Sequence, residues 1–334
     1  LKNRQVILRA RPVGIPQASD FELRDGSIPD VAHDQILVRN RVLSVDPAMR
    51  IWLGMPGGYV EPIALGSVIR SFAVGEVVRS RHSDFLPGDK VVGLFGWQEF
   101  AAVDPKSILW KIPSEEFPLS YSLGVLGING IAAYLGMTLI CRPRAGETVV
   151  VSTGAGAVGS CAGQIAGILG ARVVGIAGGP EKCRRCMEDF GFHAAVDYKA
   201  GASIDDALSQ AAPGGVDAYF DNTAGEISDA VRRHLNVGAR IALCGTSGVA
   251  GWSPWPHGER VERHLLNKRA LMQGFVVTDH VERYSEALER LGQWVRDGNL
   301  TCSEHVLRGI DRAPEAIAYL YEGRNHGKLL IEVG

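Results

Sequence analysis

The stretch Glu147-Thr-Val-Val-Val-Ser-Thr-Gly-Ala-Gly-Ala-Val-Gly-Ser160 leaves this chain few folds to choose from. Residues 148–152 form a β-branched, mostly apolar run suited to a parallel strand covered on both faces. Gly154, Gly156 and Gly159 follow in G-x-G-x-x-G spacing, and 158–169 has the pattern of an amphipathic helix. In strand–turn–helix order such glycines let the chain reverse, let its backbone approach a pyrophosphate, and let helix pack close on strand. The helix start at Ala157 and Val158 then offers unpaired N–H groups and a positive dipole end to phosphate. With 41 glycines in the chain the spacing alone is weak. A second apolar strand at 171–176, at βαβ distance, strengthens it.

The end of that second strand points to the cofactor. About 20 residues past the glycines, an NAD-dependent chain commonly carries an acid for the ribose 2′-hydroxyl. This chain has Ala177-Gly-Gly-Pro-Glu-Lys182-Cys-Arg184-Arg185 instead. Small residues such as Gly178 leave room for a 2′-phosphate, and Lys182 with the arginines can neutralise it. Glu181 is the only acid nearby in sequence, and a first helical turn explains it. NADPH/NADP+ is the expected cofactor.

Short strands with Gly/Pro turns occupy 6–11, 35–45, 68–78, a run from Val91, and 97–103, the pattern of an antiparallel barrel. Small residues fill a helical segment at 120–139. Beyond it strand 148–152, helix 158–169, strand 171–176, helix 180–190, strand 194–197, helix 203–211, strand 217–220, helix 226–235 and strand 240–244 alternate. Such crossovers make a parallel sheet. Residues 298–333 return to strand, helix, strand, and the last strand is expected to rejoin the first domain. The fold class expected is α/β: a Rossmann doubly wound parallel sheet over 126–299, and a GroES-like antiparallel β-barrel over 1–125 and 300–334.

Composition excludes several alternatives. The net charge of −2, with no basic block, argues against nucleic acid or an anionic membrane surface. No run approaches the roughly 18 apolar residues of a membrane span, and Leu1-Lys-Asn-Arg-Gln lacks the apolar core of a signal peptide. Six scattered cysteines suit a reducing compartment, so a cytoplasmic location is expected. Cys183-x-x-Cys186 has no second pair and reads as ordinary helix residues. A catalytic zinc needs three protein ligands, usually Cys and His. The first 100 positions hold only His33, His82 and no Cys, so no metal is expected. The expected partners are a small-molecule substrate and a second copy of the chain.

Several motifs resemble those of the zinc-independent, NADP-dependent double-bond reductases of the medium-chain dehydrogenase/reductase superfamily, the group of prostaglandin, alkenal and curcumin reductases. They are Leu43-Ser-Val-Asp-Pro-Ala-Met-Arg50, Gly124-Val-Leu-Gly, Ala177-Gly-Gly-Pro-Glu-Lys182, Tyr219-Phe-Asp-Asn222, Gly274-Phe-Val-Val277 and Asn325-His-Gly-Lys328. The likeness covers essentially the whole chain. It implies that Lys182 and Tyr198 contact the adenosine phosphate end, that Asn222 and Asn325 reach the ribose and pyrophosphate, and that the backbone of Phe275 to Val277 holds the nicotinamide carboxamide. Cys244, at a strand end, is expected along the same cofactor. The implied chemistry is hydride addition to the β-carbon of an α,β-unsaturated carbonyl, then protonation of the α-carbon.

The departures fall on the substrate side. Ala48 stands where the family motif has Tyr, and the count from Cys244-Gly245 places Ala250-Gly251 where a second Tyr-Asn is usual. Asn222-Thr-Ala-Gly225 replaces Asn-Val-Gly-Gly, and Asn129 stands where Pro or Thr is usual. With both tyrosines gone, Tyr59 or Asn129 is the candidate donor to the substrate oxygen, with water as the alternative proton source. Val-Ala-Gly-Trp252-Ser-Pro-Trp255 follows the strand ending at Cys244, so Trp252 and Trp255 are candidates for a substrate wall beside Ala48, Tyr59 and Ala250. Carbonyl or quinone reduction in the same cleft, and NADPH binding without catalysis, stay open as alternatives.

Overall fold

A computed structural model describes residues 2–54, 60–113, 116–201, 203–249 and 257–334. The chain forms two compact units, Leu1–Leu123 with Glu304–Gly334, and Gly124–Ser303. Among the described residues no helix is long and apolar enough to cross a membrane.

In the first unit β1 (Lys2–Leu8) and β2 (Phe21–Ser27) form an antiparallel pair. The larger sheet is built on β3 (Ile36–Ser44), whose Ile36, Leu37, Val38 and Leu43 are buried. β3 pairs antiparallel with β4 (Ala73–Ser80), and β4 with β5 (Lys90–Gly93). Along its length β3 also meets β6 (Phe100–Val103) at residues 36–39 and the C-terminal strand at residues 42–44. β7 (Ile108–Lys111) closes one end of the order on β5. At the other end β14 (Glu304–Arg308), α9 (Ala313–Glu322) and β15 (Lys328–Glu332) make a pair of parallel strands with a helix between in sequence. The last strand does rejoin the first unit, but through a parallel β14–β15 pair inside an otherwise antiparallel sheet.

Two of the sequence motifs meet here. The Lys328 ammonium, 1% exposed, donates to Asp46 Oδ1 at 2.6 Å, to Ser44 Oγ at 2.6 Å and to the Val45 carbonyl at 3.1 Å. The Ser44 hydroxyl donates in turn to Asp46. A charge this deep is tolerated only when paired and fully hydrogen-bonded. The ion pair therefore joins the end of β3 to the start of β15, nearly 300 residues apart in sequence.

In the second unit α2 (Ile128–Leu135) runs into a π-helix at Gly136–Cys141. Then come β8 (Thr148–Ser152), α3 (Ala157–Ile168), β9 (Arg172–Ala177), α4 (Pro180–Glu188), β10 (Ala194–Asp197), α5 (Ile204–Ala211), β11 (Val216–Asp221), α6 (Gly225–Arg233), β12 (Leu235–Leu243), α7 (Val261–Lys268), β13 (Leu271–Gly274) and α8 (Tyr284–Arg296). All six strands are parallel, in the order β10-β9-β8-β11-β12-β13. This is the doubly wound order in which the winding reverses between the first and fourth strands, here β8 and β11. Every residue of β8 is buried, as a strand covered on both faces should be. Val150, Val174, Ile176, Val196, Tyr219 and Ile241 form the core of one face. β12 begins at Leu235, earlier than the apolar run suggests, because Asn236 and Gly238 interrupt the pattern without interrupting the strand.

Replacing Lys328 with Met leaves Asp46 and Ser44 facing a methyl group. Lys328→Met is expected to lower the unfolding free energy in denaturant by about 3–5 kcal/mol, and adding Asp46→Asn should recover part of it. An equal loss in both variants would mean that lost packing, not an unpaired charge, sets the cost.

Candidate functional site

Because the six strands run one way, the segments after them emerge on one edge. In spatial order these are Tyr198 after β10, Gly178 after β9, the Gly154 turn after β8, Asn222 after β11, Cys244 after β12 and Phe275 after β13. Each is a candidate cofactor residue from the sequence. Neighbouring segments are tied by their backbones: Tyr198 N–H to Ala177 O, Gly154 N–H to Ile176 O, Cys244 N–H to Asp221 O, and Phe275 N–H to Leu243 O, at 2.8–3.3 Å. Ligands of open α/β sheets bind along this carboxyl edge at the switch point.

The glycine turn is built differently from what its spacing suggests. Gly154, Gly156 and Gly159 all lie outside positive φ, and the reversal is made by Thr153 at φ 55°. The glycines serve close approach instead. A Cβ on Gly159 would lie 2.2 Å from the Thr153 carbonyl oxygen, so only glycine lets α3 start against the turn. Gly156 caps α3, and Ala157 and Val158, both half-buried, begin its first turn with the free N–H groups of a 12-residue helix.

At the ends of β9 and β10 the structure gathers Gly178, Lys182, Tyr198 and Lys199. A Cβ on Gly178 would sit 2.8 Å from the Tyr198 hydroxyl oxygen, so the Tyr198 ring lies flush on the glycine backbone. Lys182 has no ion-pair or hydrogen-bond partner among the described residues. Its ammonium is held below the ordinary lysine value first by burial and then by Lys199 and Arg185. The neighbouring acids are committed elsewhere. Glu181 binds Arg184 at 2.6 Å. Asp197, which sequence order had hidden, accepts from the Gly179 and Lys199 N–H groups at 2.7 and 2.9 Å. Among the described residues Lys182 is therefore left without an acid bonded to it, which suits a phosphate. Cys183 and Cys186 are buried in α4, and burial pushes their thiols up to about 11 and about 12. Neither offers the thiolate that redox chemistry needs.

At the switch point Asn222 bridges the two strands that flank it. Its N–H donates to Ser152 Oγ at 2.8 Å and its side-chain amide to Ser152 O at 2.7 Å. Beneath it lies Asp221, 0% exposed. Asp221 Oδ1 accepts from the Thr223 and Ala224 N–H groups, each at 2.9 Å, and from the Tyr219 hydroxyl at 3.0 Å; Oδ2 accepts from Ser228 at 2.5 Å. Burial, then the Asp221 charge, pushes the Tyr219 hydroxyl far up, so it stays a donor. The motif Tyr219-Phe-Asp-Asn222 holds this aspartate, to which the family resemblance assigns no role. Its signal was a lone acid at the end of a buried strand.

The other candidates divide. Cys244 is a neutral thiol, pushed up to about 12 by burial and then by Asp221. The Phe275 ring meets Phe220 edge-on at 6.4 Å, and the Val277 carbonyl accepts from Tyr284 at 3.3 Å. Asn129 is buried in the first turn of α2. Ala48 and Asn325 belong to the first unit, where Ala48 leads α1 (Met49–Trp52) and the Asn325 amide donates to Gly327 O at 2.8 Å. Tyr59, Ala250, Trp252 and Trp255 lie outside the described residues. Among the described residues no three His, Cys, Asp or Glu side chains gather where a metal ion could sit.

A parallel sheet in doubly wound order with a glycine turn at its switch point defines a dinucleotide-dependent oxidoreductase domain. Residues 4–111 match the family described as the N-terminal domain of oxidoreductase, and residues 157–293 the one described as zinc-binding dehydrogenase. The chain is 44% identical to the putative NADP-dependent oxidoreductase YfmJ of Bacillus subtilis, over 98% of this chain and 97% of that one. It is 38% identical to the NADP(+)-dependent 2-alkenal reductase of Nicotiana tabacum, over 100% and 98%. The crystal structure of CurA from Vibrio vulnificus in complex with NADPH superposes with a TM-score of 0.93 at 38% identity, covering 99% of each chain. The chain belongs to the medium-chain dehydrogenase/reductase family, in its NADP-dependent double-bond reductase branch.

The turn makes a direct prediction. Gly159→Ala is expected to cost about 1–3 kcal/mol of stability, read by urea denaturation of the apo protein. A wild-type midpoint would mean that the Thr153 carbonyl moves aside freely.

Proposed function

We propose that this protein uses NADPH to reduce the carbon–carbon double bond of an α,β-unsaturated ketone or aldehyde, without a metal. The observation that carries the reading is the carboxyl edge of the parallel sheet, whose phosphate end is cationic and has no free acid. Full-length likeness to an alkenal reductase supports the substrate class.

The residues present fit the cofactor. The Gly178 backbone under Tyr198, the uncompensated Lys182, and the close α3 start at Gly159 together suit a phosphorylated dinucleotide. Lys182 and Tyr198 would hold the 2′-phosphate end, the amides of Ala157 and Val158 the pyrophosphate, and Asn222 and Cys244 the middle. Phe275 and Val277 would lie by the nicotinamide. When bound, NADPH supplies the hydride. The chain's own task is to orient the enone, to donate to its oxygen as negative charge builds there, and to exclude bulk water. Asn129 is the candidate donor on the described part of the chain, and Tyr59, Trp252 and Trp255 remain candidates for the pocket.

The chain is further read as a cytoplasmic homodimer. None of the six cysteines is paired in a disulfide with another, as in a reducing compartment. Among the described residues β13 is a sheet edge with Leu271 exposed, preceded by the exposed Leu266 of α7, and such an edge is a template for another strand.

Two measurements test the reading. NADPH oxidation with a panel of enones should give saturated carbonyls; allylic alcohols would mean carbonyl reduction, and no turnover with any enone would remove the activity. Lys182→Ala should weaken NADPH by about tenfold or more, as loss of a charge-assisted contact does, and leave NADH nearly unchanged. The pH dependence has a definite sign. Between the depressed folded value of Lys182 and the ordinary lysine value the unfolded chain binds the extra proton, so apo stability rises with pH there. A bound phosphate needs the protonated form, so NADPH affinity falls across the same window. Equal pH profiles for NADPH and NADH would take Lys182 off the phosphate.

A further inference from the structure

Asp221 is the unexplained charge of the second unit. Its carboxylate is 0% exposed, and no Lys, Arg or His pairs with it among the described residues. Six protein donors do: the N–H groups of Thr223 and Ala224 and the hydroxyls of Tyr219 and Ser228 at 2.5–3.0 Å, and the hydroxyls of Thr223 and Ser152 at 3.3 and 3.5 Å. A carboxylate buried without a cation persists only where its lone pairs are filled this way. The donors are not spread evenly. Two are consecutive backbone amides of the turn that carries Asn222.

That turn is strained. Ala224 has φ 55° and ψ −164°, a region populated almost only by glycine. A Cβ there must be held against the backbone's own preference, and the Ala224 N–H bond to Asp221 is positioned to hold it. The same carboxylate reaches Asn222 by a second route. Ser152 Oγ lies 3.5 Å from Asp221 Oδ1 and accepts the Asn222 N–H at 2.8 Å, while the Asn222 side chain donates to Ser152 O at 2.7 Å. The next edge segment rests on this turn. Ser247 N–H and Oγ both donate to Asn222 O, and Gly248 N–H donates to Thr223 O.

We infer that Asp221 is a positioning residue for the dinucleotide: its buried carboxylate holds the 222–224 turn in a conformation the alanine backbone disfavours, and so sets Asn222 across the switch point. The inference rests on the cofactor reading above and adds a residue that touches neither cofactor nor substrate. It also separates from simple structural support. A carboxylate that only stabilises the fold would be missed in the melting temperature; one that holds strain would be missed in cofactor affinity and become dispensable once the strain is removed.

The test uses Asp221→Asn, Ala224→Gly and the double variant. The readouts are the apo melting temperature, NADPH binding by titration calorimetry, and KM against kcat with an enone. Asp221→Asn places an amide N–H among donors, and the Kd and KM for NADPH are expected to rise by about tenfold, with kcat at saturating NADPH changed much less. Glycine at 224 relieves the turn, so the double variant should recover most of that affinity. Overturning results are an unchanged Kd in Asp221→Asn, or a raised Kd that Ala224→Gly does not restore. If Asp221→Asn does not fold, Ser152→Ala carries the test, because it removes the hydroxyl between the carboxylate and Asn222. It should weaken NADPH while the apo melting temperature stays within a few degrees, and unchanged binding overturns the inference. Absence of NADPH binding to the wild-type protein would instead remove the cofactor reading, and this inference with it.

Discussion

Six strands that all run the same way must release six chain segments along one edge, and that constraint arranges everything else in the second unit. Parallel strands need crossovers, crossovers put helices on both faces, and the covered faces demand apolar strands such as the fully buried β8. Only the edges remain for polar chemistry. Residues 24 to 121 positions apart, such as Gly154, Gly178, Asn222 and Phe275, are thereby brought to one edge by strand direction alone. Side-chain identity decides what the edge binds, and strand direction decides that there is an edge.

Among the described residues the most deeply buried charge of each unit is satisfied in the opposite way. Lys328 and Asp46 neutralise each other and tie two ends of the chain, so their cost is desolvation offset by attraction. Asp221 has no counter-charge and is satisfied by neutral donors, each charge-assisted bond being worth roughly 1.5–3 kcal/mol. A residue in the strained region of Ala224 costs about 1–3 kcal/mol. These magnitudes are comparable, so one carboxylate with two bonds into the turn is enough to hold it, and a weaker acceptor would not be.

The architecture was legible in the sequence wherever one period dominated. Residues 194–197 coincide with β10, and the expected helix at 180–190 is α4 with its last residues removed, because apolar runs and Gly/Pro stops there agree with the tertiary environment. Legibility failed where burial overrode pattern. β13 is mostly exposed, so no alternation marks it, and in β12 Asn236 and Gly238 fall in the irregularity between the Leu235 and Arg240 pairings with β11, where no apolar pattern is required. In the site, Lys182 follows from the count past the glycines, while Asn222 and Phe275 rest on motifs that resemble the family's. Thr153 and Asp197 could be found neither way. The positive φ of a β-branched residue and a carboxylate contributed by the adjacent strand are properties of the assembled edge, not of any local stretch.

Asp197 also shows why counting acids near a nucleotide site is not enough. The sequence argument for a 2′-phosphate relied on having no acid at the end of β9, yet the sheet brings one there from β10. What matters is whether that carboxylate can reach a ribose hydroxyl. Its Oδ1 accepts two backbone N–H groups, Gly179 and Lys199, which hold it against the turn and satisfy part of its charge locally. Lys182, with Lys199 and Arg185 acting on it and no acid bonded to it, is the group whose charge is left over. An acid spent on backbone and a cation held below its ordinary pKa are two sides of one electrostatic preference. A dianion placed there would meet an ammonium that no acid holds, and a plain hydroxyl would make no use of its charge.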